Sequence, residues 1–147
     1  MRDSEVFASI QYHKLQRLEV FDTLTSQEFS KIYNGYGPDK WPSAMRAVIS
    51  WIFGMFPEVS GEHDIGFFYS DGTRKGFEAT IKRWKKNSSI MLNVRYPMSS
   101  PSLYIHRAVA WGKLYLARKA ISGESAYKFY LQAALKRIAD ESKHLKT

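Results

Sequence analysis

Turn-forming residues divide this chain into segments, and their positions constrain the fold more than any other feature of the sequence. Between the breaks, apolar residues recur three or four positions apart, which is the spacing of one face of an α-helix. Glycine, proline and asparagine at the breaks favour turns over continued helix. We therefore expect a mainly α-helical protein with little strand. The breaks are Asn34-Gly35, Gly37-Pro38, Pro57, Ser70-Asp71-Gly72-Thr73 and Ser122-Gly123.

The segments between the breaks predict the individual helices. Ser26, Ser43 and Thr73 are expected to cap three of them, because their hydroxyls can accept from free amide groups of a first turn. Residues 5–25 have no clean period, so they form either a helix or an irregular arm. Residues 87–101 contain serines and prolines and are expected to form a loop with one short strand at 90–94. The expected helices are 27–33, 43–56, 58–69, 73–86, 102–121 and 124–142.

Helical spacing also predicts which faces are buried. The helices at 58–69 and 73–86 are expected to form an antiparallel hairpin, followed by two long C-terminal helices. Val59, His63 and Phe67 share one face of the first helix, and Phe77, Ile81 and Trp84 are expected to face inward in the second. In the third helix the residues that recur at helical spacing are Tyr104, Ile105, Ala108, Val109, Trp111, Tyr115 and Leu116. The apolar stripe of the last helix is Tyr127, Leu131, Leu135 and Ile138.

Composition limits the organisation of the chain. Its 147 residues, 44% hydrophobic and 15% aromatic, suit one folded domain. We expect an N-terminal arm over residues 1–25 and a single helical domain over 26–147. The net charge of +8 favours an anionic partner. With no cysteine, the chain has neither disulfides nor a cysteine-based zinc site.

Two stretches bear on membranes and export. The N-terminus begins Met1-Arg2-Asp3-Ser4-Glu5 with no apolar run after it, so no secretory signal is expected. The most apolar stretch, residues 47–56, has about half the length that a membrane-spanning helix needs. No transmembrane segment is expected.

Two short motifs carry chemistry. Residues 34–38 read Asn-Gly-Tyr-Gly-Pro, and the adjacent pair His63-Asp64 follows on an expected helix. The two glycines let a short loop turn its carbonyls toward one point. An acid beside a base could hold a cation and activate a water molecule. Together the motifs suggest a calcium-and-histidine hydrolytic site.

From Phe29 to Trp84 the chain resembles the phospholipase A₂-like proteins found in bacteriophage genomes. That family has an Asn-Gly-Cys-Gly-Pro loop, an apolar helix, a Cys-x-x-His-Asp-x-x-Tyr segment and then a helix with an aspartate. The same order occurs here, although the family's cysteines fall at Tyr36 and Ser60, its tyrosine at Phe67 and its second aspartate at Glu78. The resemblance implies synthesis in the host cytoplasm and association with a virion.

The resemblance also implies residue roles. Carbonyls of Gly35, Gly37 and Asp39, with the Asp64 carboxylate, would bind calcium, which accepts irregular oxygen cages. His63 would be the general base, taking a proton from a water molecule that attacks an ester carbonyl. Glu78 would hold the imidazole in the correct tautomer. Phe67 would support the ring without the hydroxyl that the family's tyrosine provides.

Other features leave alternatives open. A basic cluster of Arg74, Lys75, Lys82, Arg83, Lys85 and Lys86 is either a phosphate-binding surface or the solvated face of a helix. Trp41, Trp51, Phe53 and Phe56 would line an acyl channel or pack in the core. Glu62, Asp64 and Asp71 offer the carboxylates of a glycosidase but no defined geometry. His13, His106 and His144 lack metal-ligand spacing and are expected at or near the surface.

Two function hypotheses follow. The first is a phage-encoded, calcium-dependent phospholipase-like ester hydrolase acting at an anionic membrane surface. The second is a non-catalytic phage virion or assembly protein on the same scaffold, which binds a phage structural protein or nucleic acid through its basic, aromatic surface.

Overall fold

The computed structural model describes residues 2–33, 47, 50–52 and 54–146. The protein is mainly helical, as the sequence predicted, and no residue of the described part lies in a strand. Residues 47, 50–52, 54 and 55 are helical, and Phe56 interrupts the helix before Pro57 begins the next one. The α-helices are α1 (Asp3–Tyr12), α2 (Ser26–Tyr33), α3 (Pro57–Phe68), α4 (Arg74–Arg95), α5 (Tyr104–Ile121) and α6 (Glu124–Leu145), with 3₁₀ turns at Glu19–Thr23 and Pro101–Leu103.

The N-terminal residues pack on the rest of the chain. Helix α1 contacts α2 and α3, and Phe7 stacks on Phe21 with ring centroids 4.9 Å apart. Val6, Ile10 and Leu15 are buried in the same core cluster. Each of these side chains removes apolar surface from water on folding, which stabilises the docked arrangement.

Helix α2 begins with a capping box. The Thr25 hydroxyl accepts from the Glu28 amide at 3.2 Å, and the Glu28 carboxylate accepts from the Thr25 amide at 2.8 Å. This reciprocal pair satisfies two amide groups at the helix start. The predicted cap, Ser26, is therefore wrong by one residue, because Thr25 has a glutamate three positions later with which to pair.

Helices α3 and α4 form the predicted antiparallel hairpin. Glu62 contacts Arg83 and, one turn earlier in α3, Glu58 contacts Arg95 near the end of α4. The Thr73 hydroxyl caps α4 by accepting from the Gly76 amide at 3.0 Å, as predicted. The turn before it places Gly72 at φ +72°, a left-handed conformation that glycine adopts readily.

The length of α4 was mispredicted. It runs to Arg95 through residues 87–95, where a loop and a short strand were expected. Asn87 is buried there and hydrogen-bonds both backbone groups of Gln16, at 2.8 Å to the amide and 2.7 Å to the carbonyl. Ser89 donates back to the Lys85 carbonyl at 3.2 Å. Asn87 and Ser89 therefore find partners without ending the helix.

The two C-terminal helices are present as predicted, but their buried faces are not the ones that carry the large apolar residues at helical spacing. Small residues and a few aliphatic ones make the packed faces, because they allow close helix approach. The residues buried in α5 and α6 are Ala110, Leu114, Ala117, Ile121, Ala126, Tyr130, Ala133 and Ala134. The large apolar residues that recur at helical spacing are exposed to solvent, among them Tyr104, Ile105, Val109, Trp111, Tyr115, Leu116, Leu131, Leu135 and Ile138.

Candidate functional site

Helix α3 lies at the centre of the molecule. Helices α1, α2, α4 and α6 all contact it, and every residue from 57 to 67 is buried. Its glycines allow this close packing: a Cβ on Gly61 would lie 2.7 Å from the Phe29 ring, and one on Gly66 would lie 2.9 Å from Thr80. Three carboxylic acids and one histidine are thereby removed from water.

Two of those acids are paired with arginines of α4. Glu58 accepts from Arg95 Nη2 at 3.1 and 3.0 Å and from the Ser9 hydroxyl at 2.8 Å. Glu62 accepts from Arg83 Nε at 2.9 Å. A buried carboxylate needs such partners, because an uncompensated charge in the interior is costly. These contacts hold α3 against α4.

His63 and Asp64 form the remaining polar pair. His63 Nδ1 lies 3.9 Å from Asp64 Oδ1, beyond ordinary hydrogen-bond length. Within the described ranges, His63 Nε2 and Asp64 Oδ2 are buried without a hydrogen-bond partner. The imidazole packs on the ring of Phe67, with centroids 4.4 Å apart. Phe67 is therefore in ring contact with the histidine.

Burial sets the proton affinities of this pair. It lowers the pKa of His63 to about 3, with a further contribution from the positive charge of Arg83. Burial raises the pKa of Asp64 well above its ordinary value. Both groups are therefore driven toward their neutral forms, since the interior disfavours charge.

Asp64 faces the end of α2. Burial, followed by the negative charge of Asp64, raises the pKa of Tyr33, the last residue of that helix. In the sequence, the glycine motif begins directly after Tyr33. Gly35, Gly37 and Asp39 themselves, with Trp41 and Phe53, lie outside the described residues. The described part of the site therefore consists of helical residues and does not include the predicted calcium loop.

Glu78 is not beside His63. It lies on the exposed face of α4, and the residues of α4 that meet α3 at this level are Thr80 and Arg83. Successive side chains of a helix are rotated by about 100° around its axis. Because Phe77 and Thr80 face the protein interior, the side chain of Glu78 points away from the interior toward solvent. No hydrogen bond joins Glu78 to His63 in the part of the chain that the structure describes, so the predicted orienting contact is wrong.

The basic cluster of α4 is mostly exposed. Lys75, Lys82, Lys85 and Lys86 face solvent, as predicted. Arg74 is exposed but pairs with Glu124 at 3.1 Å and covers the Tyr127 ring at 3.7 Å. Arg83 was expected to point outward and is instead half-buried beside Glu62. That correction follows from the burial of Glu62, which requires a positive partner.

Other sequence candidates do not converge on a site. Among residues 2–33, 47, 50–52 and 54–146, no three His, Asp or Glu side chains are grouped as metal ligands. The carboxylates of Glu62, Asp64 and Asp71 do not act together. Asp71 accepts a hydrogen bond from the Thr73 amide in the turn before α4, whereas Glu62 pairs with Arg83. His106 and His144 are exposed, and His13 is half-buried.

Two features were missed by sequence reasoning. One is the exposed apolar face of α5 and α6. The other is a cleft of about 230 Å³ between α4 and α5, lined by aromatic and basic residues. Two exposed aromatic residues four positions apart in a basic helix, Trp111 and Tyr115, are the signal that could have indicated the cleft.

No helix in the described part of the chain is long and apolar enough to cross a membrane. No family model, no curated protein and no solved structure matches this chain.

Proposed function

We propose that this protein is a non-catalytic assembly protein whose C-terminal helix pairs with the same helix of a second copy. The observation that carries the proposal is a line of large apolar side chains on α6 that faces solvent. Leu131, Leu135, Ile138 and Leu145 are 37%, 59%, 54% and 89% exposed. We call these four residues the α6 seam. Contiguous apolar surface of this kind marks interaction sites.

The spacing of the α6 seam is that of a coiled coil. Successive residues of the seam are four, three and seven positions apart in the sequence. Ser142 lies within the interval of seven, four positions after Ile138 and three before Leu145. In heptad terms Leu131, Ile138 and Leu145 occupy d positions, and Leu135 and Ser142 occupy a positions. A partner helix with the same pattern would interlock with it.

The end of α6 needs a packing partner. Every residue from 138 to 146 is exposed, so these last turns have no apolar face covered by the described part of the protein. Short helical segments are marginal in water without tertiary packing. A second helix laid on the α6 seam would bury the apolar residues and stabilise these turns.

Charge on α6 favours a parallel pair. Glu141 occupies a g position and Lys146 an e position, and these positions meet across a parallel coiled coil. Glu141 of each copy then lies near Lys146 of the other. Lys136 and Lys143 occupy b positions on the outer side, where they do not oppose each other across the pair.

The absence of cysteine from the chain allows a sharp test. Ser142→Cys introduces a thiol at an a position, where the two copies of a parallel pair face each other. Mild oxidation should give a disulfide-linked dimer. Lys143→Cys, one position away on the outer side, is the matched control and should stay monomeric under denaturing electrophoresis. Equal linkage of both variants, or of neither, would refute the parallel pair.

The setting that we propose is a bacteriophage virion or its assembly. The support is the sequence resemblance to phage proteins together with a surface suited to self-association. Quantitative analysis of purified particles tests this setting. A fixed ratio of this chain to the major particle proteins is expected, and its recovery only as free protein in lysate would count against a virion role.

One observation favours a second candidate, a calcium-dependent lipid ester hydrolase. Asp64 Oδ2 and His63 Nε2 are both buried without partners in the described ranges. A buried orphan carboxylate fits a cation ligand, because calcium would compensate the charge that burial disfavours. Asp64 would hold the ion together with carbonyls of Gly35, Gly37 and Asp39. When bound, calcium supplies polarisation of the ester carbonyl.

In this second candidate, His63 takes a proton from the attacking water. The pKa of about 3 makes it a weak base at neutral pH, and no carboxylate of the described residues accepts from its other nitrogen. The exposed lysines of α4 would contact an anionic membrane surface. These points rank the hydrolase below the assembly protein.

Two assays test the hydrolase. With mixed-chain phospholipid vesicles, fatty acid release should require calcium and should be lost in His63→Gln. Calcium should also raise the melting temperature of the wild type but not of Asp64→Asn, because a ligand that binds only the native state stabilises it. Release that continues in His63→Gln, or an equal calcium effect on both proteins, would dispose of this candidate.

A further inference from the structure

A cleft between α4 and α5 combines features that the proposed function does not use. Its volume is about 230 Å³. Trp84, Leu92 and Leu114 form a buried apolar floor. This volume is smaller than that of typical pockets for drug-sized ligands. It suits one flat ring system with a polar group extending toward solvent.

Two aromatic side chains form one wall of the cleft. The rings of Trp111 and Tyr115 are nearly parallel, at 13°, with centroids 5.7 Å apart. Trp111 is 60% exposed, which is unusual for so large an aromatic residue. Exposed parallel rings provide a stacking surface for another ring.

Two cations flank the aromatic wall. Lys85 extends from α4 and Arg118 from α5, and both line the cleft. The Arg118 guanidinium lies 5.3 Å from the centre of the Tyr115 ring. No acidic side chain of the described residues forms an ion pair with either one. Their positive charge is therefore available to an anionic ligand.

Ser88 supplies a polar group at the base of the cleft. The residue is 5% exposed, and its hydroxyl has no hydrogen-bond partner among the described residues. A buried hydroxyl without a partner costs free energy, so native proteins rarely contain one. A ligand with a polar ring edge would satisfy it.

We infer that the cleft between α4 and α5 binds a nucleotide, with the base stacked on Trp111 and hydrogen-bonded to Ser88 and the phosphate held by Lys85 and Arg118. An apolar ligand would leave both cations and the buried hydroxyl unused. A simple anion would leave the aromatic wall unused. A ring that carries a phosphate uses all three. The nucleotide is either free or part of a single strand, and the chemistry is shared.

The test measures binding of adenosine monophosphate and of a labelled single-stranded oligonucleotide to the full chain. Fluorescence anisotropy reports on the labelled strand, and calorimetry reports on the mononucleotide. Trp111→Ala should weaken binding about tenfold or more, because stacking of one base on an aromatic residue accounts for a change of that size. Tyr12→Ala removes another exposed aromatic residue, from α1, and is the control.

Ser88→Ala gives the most discriminating readout. It should weaken binding while leaving the melting temperature unchanged or higher, because the free protein loses a hydroxyl that has no partner among the described residues. Lys85→Gln should weaken binding more than Lys143→Gln, which removes the same charge at a distant site. With two phosphate contacts, the slope of log affinity against log salt should be about −1.4 for a single strand.

Each outcome decides the proposal. Saturable binding of the mononucleotide that depends on Trp111 and Ser88 supports a free nucleotide as ligand. Binding of the oligonucleotide alone, with the same dependence, supports a single strand. The proposal is overturned if neither ligand binds, or if Trp111→Ala and Ser88→Ala bind as tightly as the wild type. Equal losses in Lys85→Gln and Lys143→Gln would also overturn it, because they indicate diffuse charge attraction.

Discussion

Arg95 Nη2 donates to both carboxylate oxygens of Glu58, at 3.1 and 3.0 Å, and thereby ties the last turn of α4 to the first turn of α3. Glu58 is 1% exposed, so its charge depends on this partner. The hairpin that carries His63 and Asp64 is closed at this end by the ion pair. Two of the buried acids of α3, Glu58 and Glu62, therefore have a structural role in holding the helix against α4.

Arg95→Met should destabilise the protein by about 3 kcal/mol or more, because among the described residues it leaves the buried Glu58 carboxylate with the Ser9 hydroxyl alone as a side-chain partner. Urea denaturation followed by circular dichroism measures the change. Arg2→Met, which breaks the exposed pair with Glu5, is the control and should have a much smaller effect. The double variant Glu58→Leu/Arg95→Leu should recover part of the loss. Equal effects of Arg95→Met and Arg2→Met would show that the buried pair is not structural.

Glu62 should make the protein less stable as pH rises from about 4.5 to about 7. Burial raises the pKa of Glu62 to about 7, while the Arg83 charge opposes the rise. Between its ordinary value of 4.5 and 7, the unfolded chain gives up the proton and the folded protein keeps it. Stability then falls by up to about 1.4 kcal/mol per pH unit. Glu62→Gln should remove this fall in denaturation curves across the window, and an unchanged slope would contradict it.

His63 should act in the opposite direction. Burial lowers its pKa from 6.5 to about 3, so between these values the unfolded chain binds a proton that the folded protein does not. Stability from this group is complete above pH 6.5 and decreases as pH falls toward 3. His63→Gln should reduce the acid sensitivity of unfolding over that range. If the variant and the wild type lose stability in parallel, the ring is not held neutral by burial.

Close packing at Gly61 predicts an unusual effect of alanine. In an exposed helix, Gly→Ala is stabilising by roughly 1 kcal/mol. At Gly61 the added Cβ would lie 2.7 Å from Phe29, so Gly61→Ala should instead destabilise by about 1 to 3 kcal/mol. A Cβ on Gly112 in α5 would meet none of the described residues within 4 Å, and Gly112→Ala should raise the melting temperature. If both substitutions changed the stability of the protein in the same direction, the result would contradict the close packing of α3.

Helix positions followed from the sequence better than helix faces did. Pro57, the Ser70–Thr73 turn and Ser122-Gly123 each separate two helices, because their backbone preferences act locally. Asn87 and Ser88 also have the composition of a loop, yet α4 continues through them because Gln16 supplies backbone partners for Asn87. That contact joins residues 71 positions apart, and local pattern contains no information about it.

The faces of α5 show a second limit. Ile105, Val109 and Leu116 have the spacing of a buried stripe, but so do Ala110, Leu114 and Ala117 on the opposite side. Periodicity identifies two apolar faces and does not say which one the core covers. Close approach to α4 favours the side with alanines. The larger residues are left outside, where they are available to a partner.

The candidate site was predicted in part. His63, Asp64 and Phe67 share the helix that the sequence assigned to them, and the ring contact between His63 and Phe67 is present. Glu78 was predicted to orient His63 because it stands where the family has an aspartate. Its position on α4 instead directs the side chain to solvent. The pairing of Glu62 with Arg83 was missed, because both residues have the composition of a solvated surface when they are considered alone.

Sedimentation equilibrium tests the central claim, self-association through the α6 seam, most directly. The wild type and the control Lys136→Gln/Lys143→Gln should show a reversible, concentration-dependent dimer, whereas Leu135→Gln/Ile138→Gln should remain monomeric while still unfolding cooperatively, at a melting temperature that does not depend on protein concentration. A wild type that is monomeric at all accessible concentrations, or a Leu135→Gln/Ile138→Gln variant that dimerises as strongly as the control, would contradict the account.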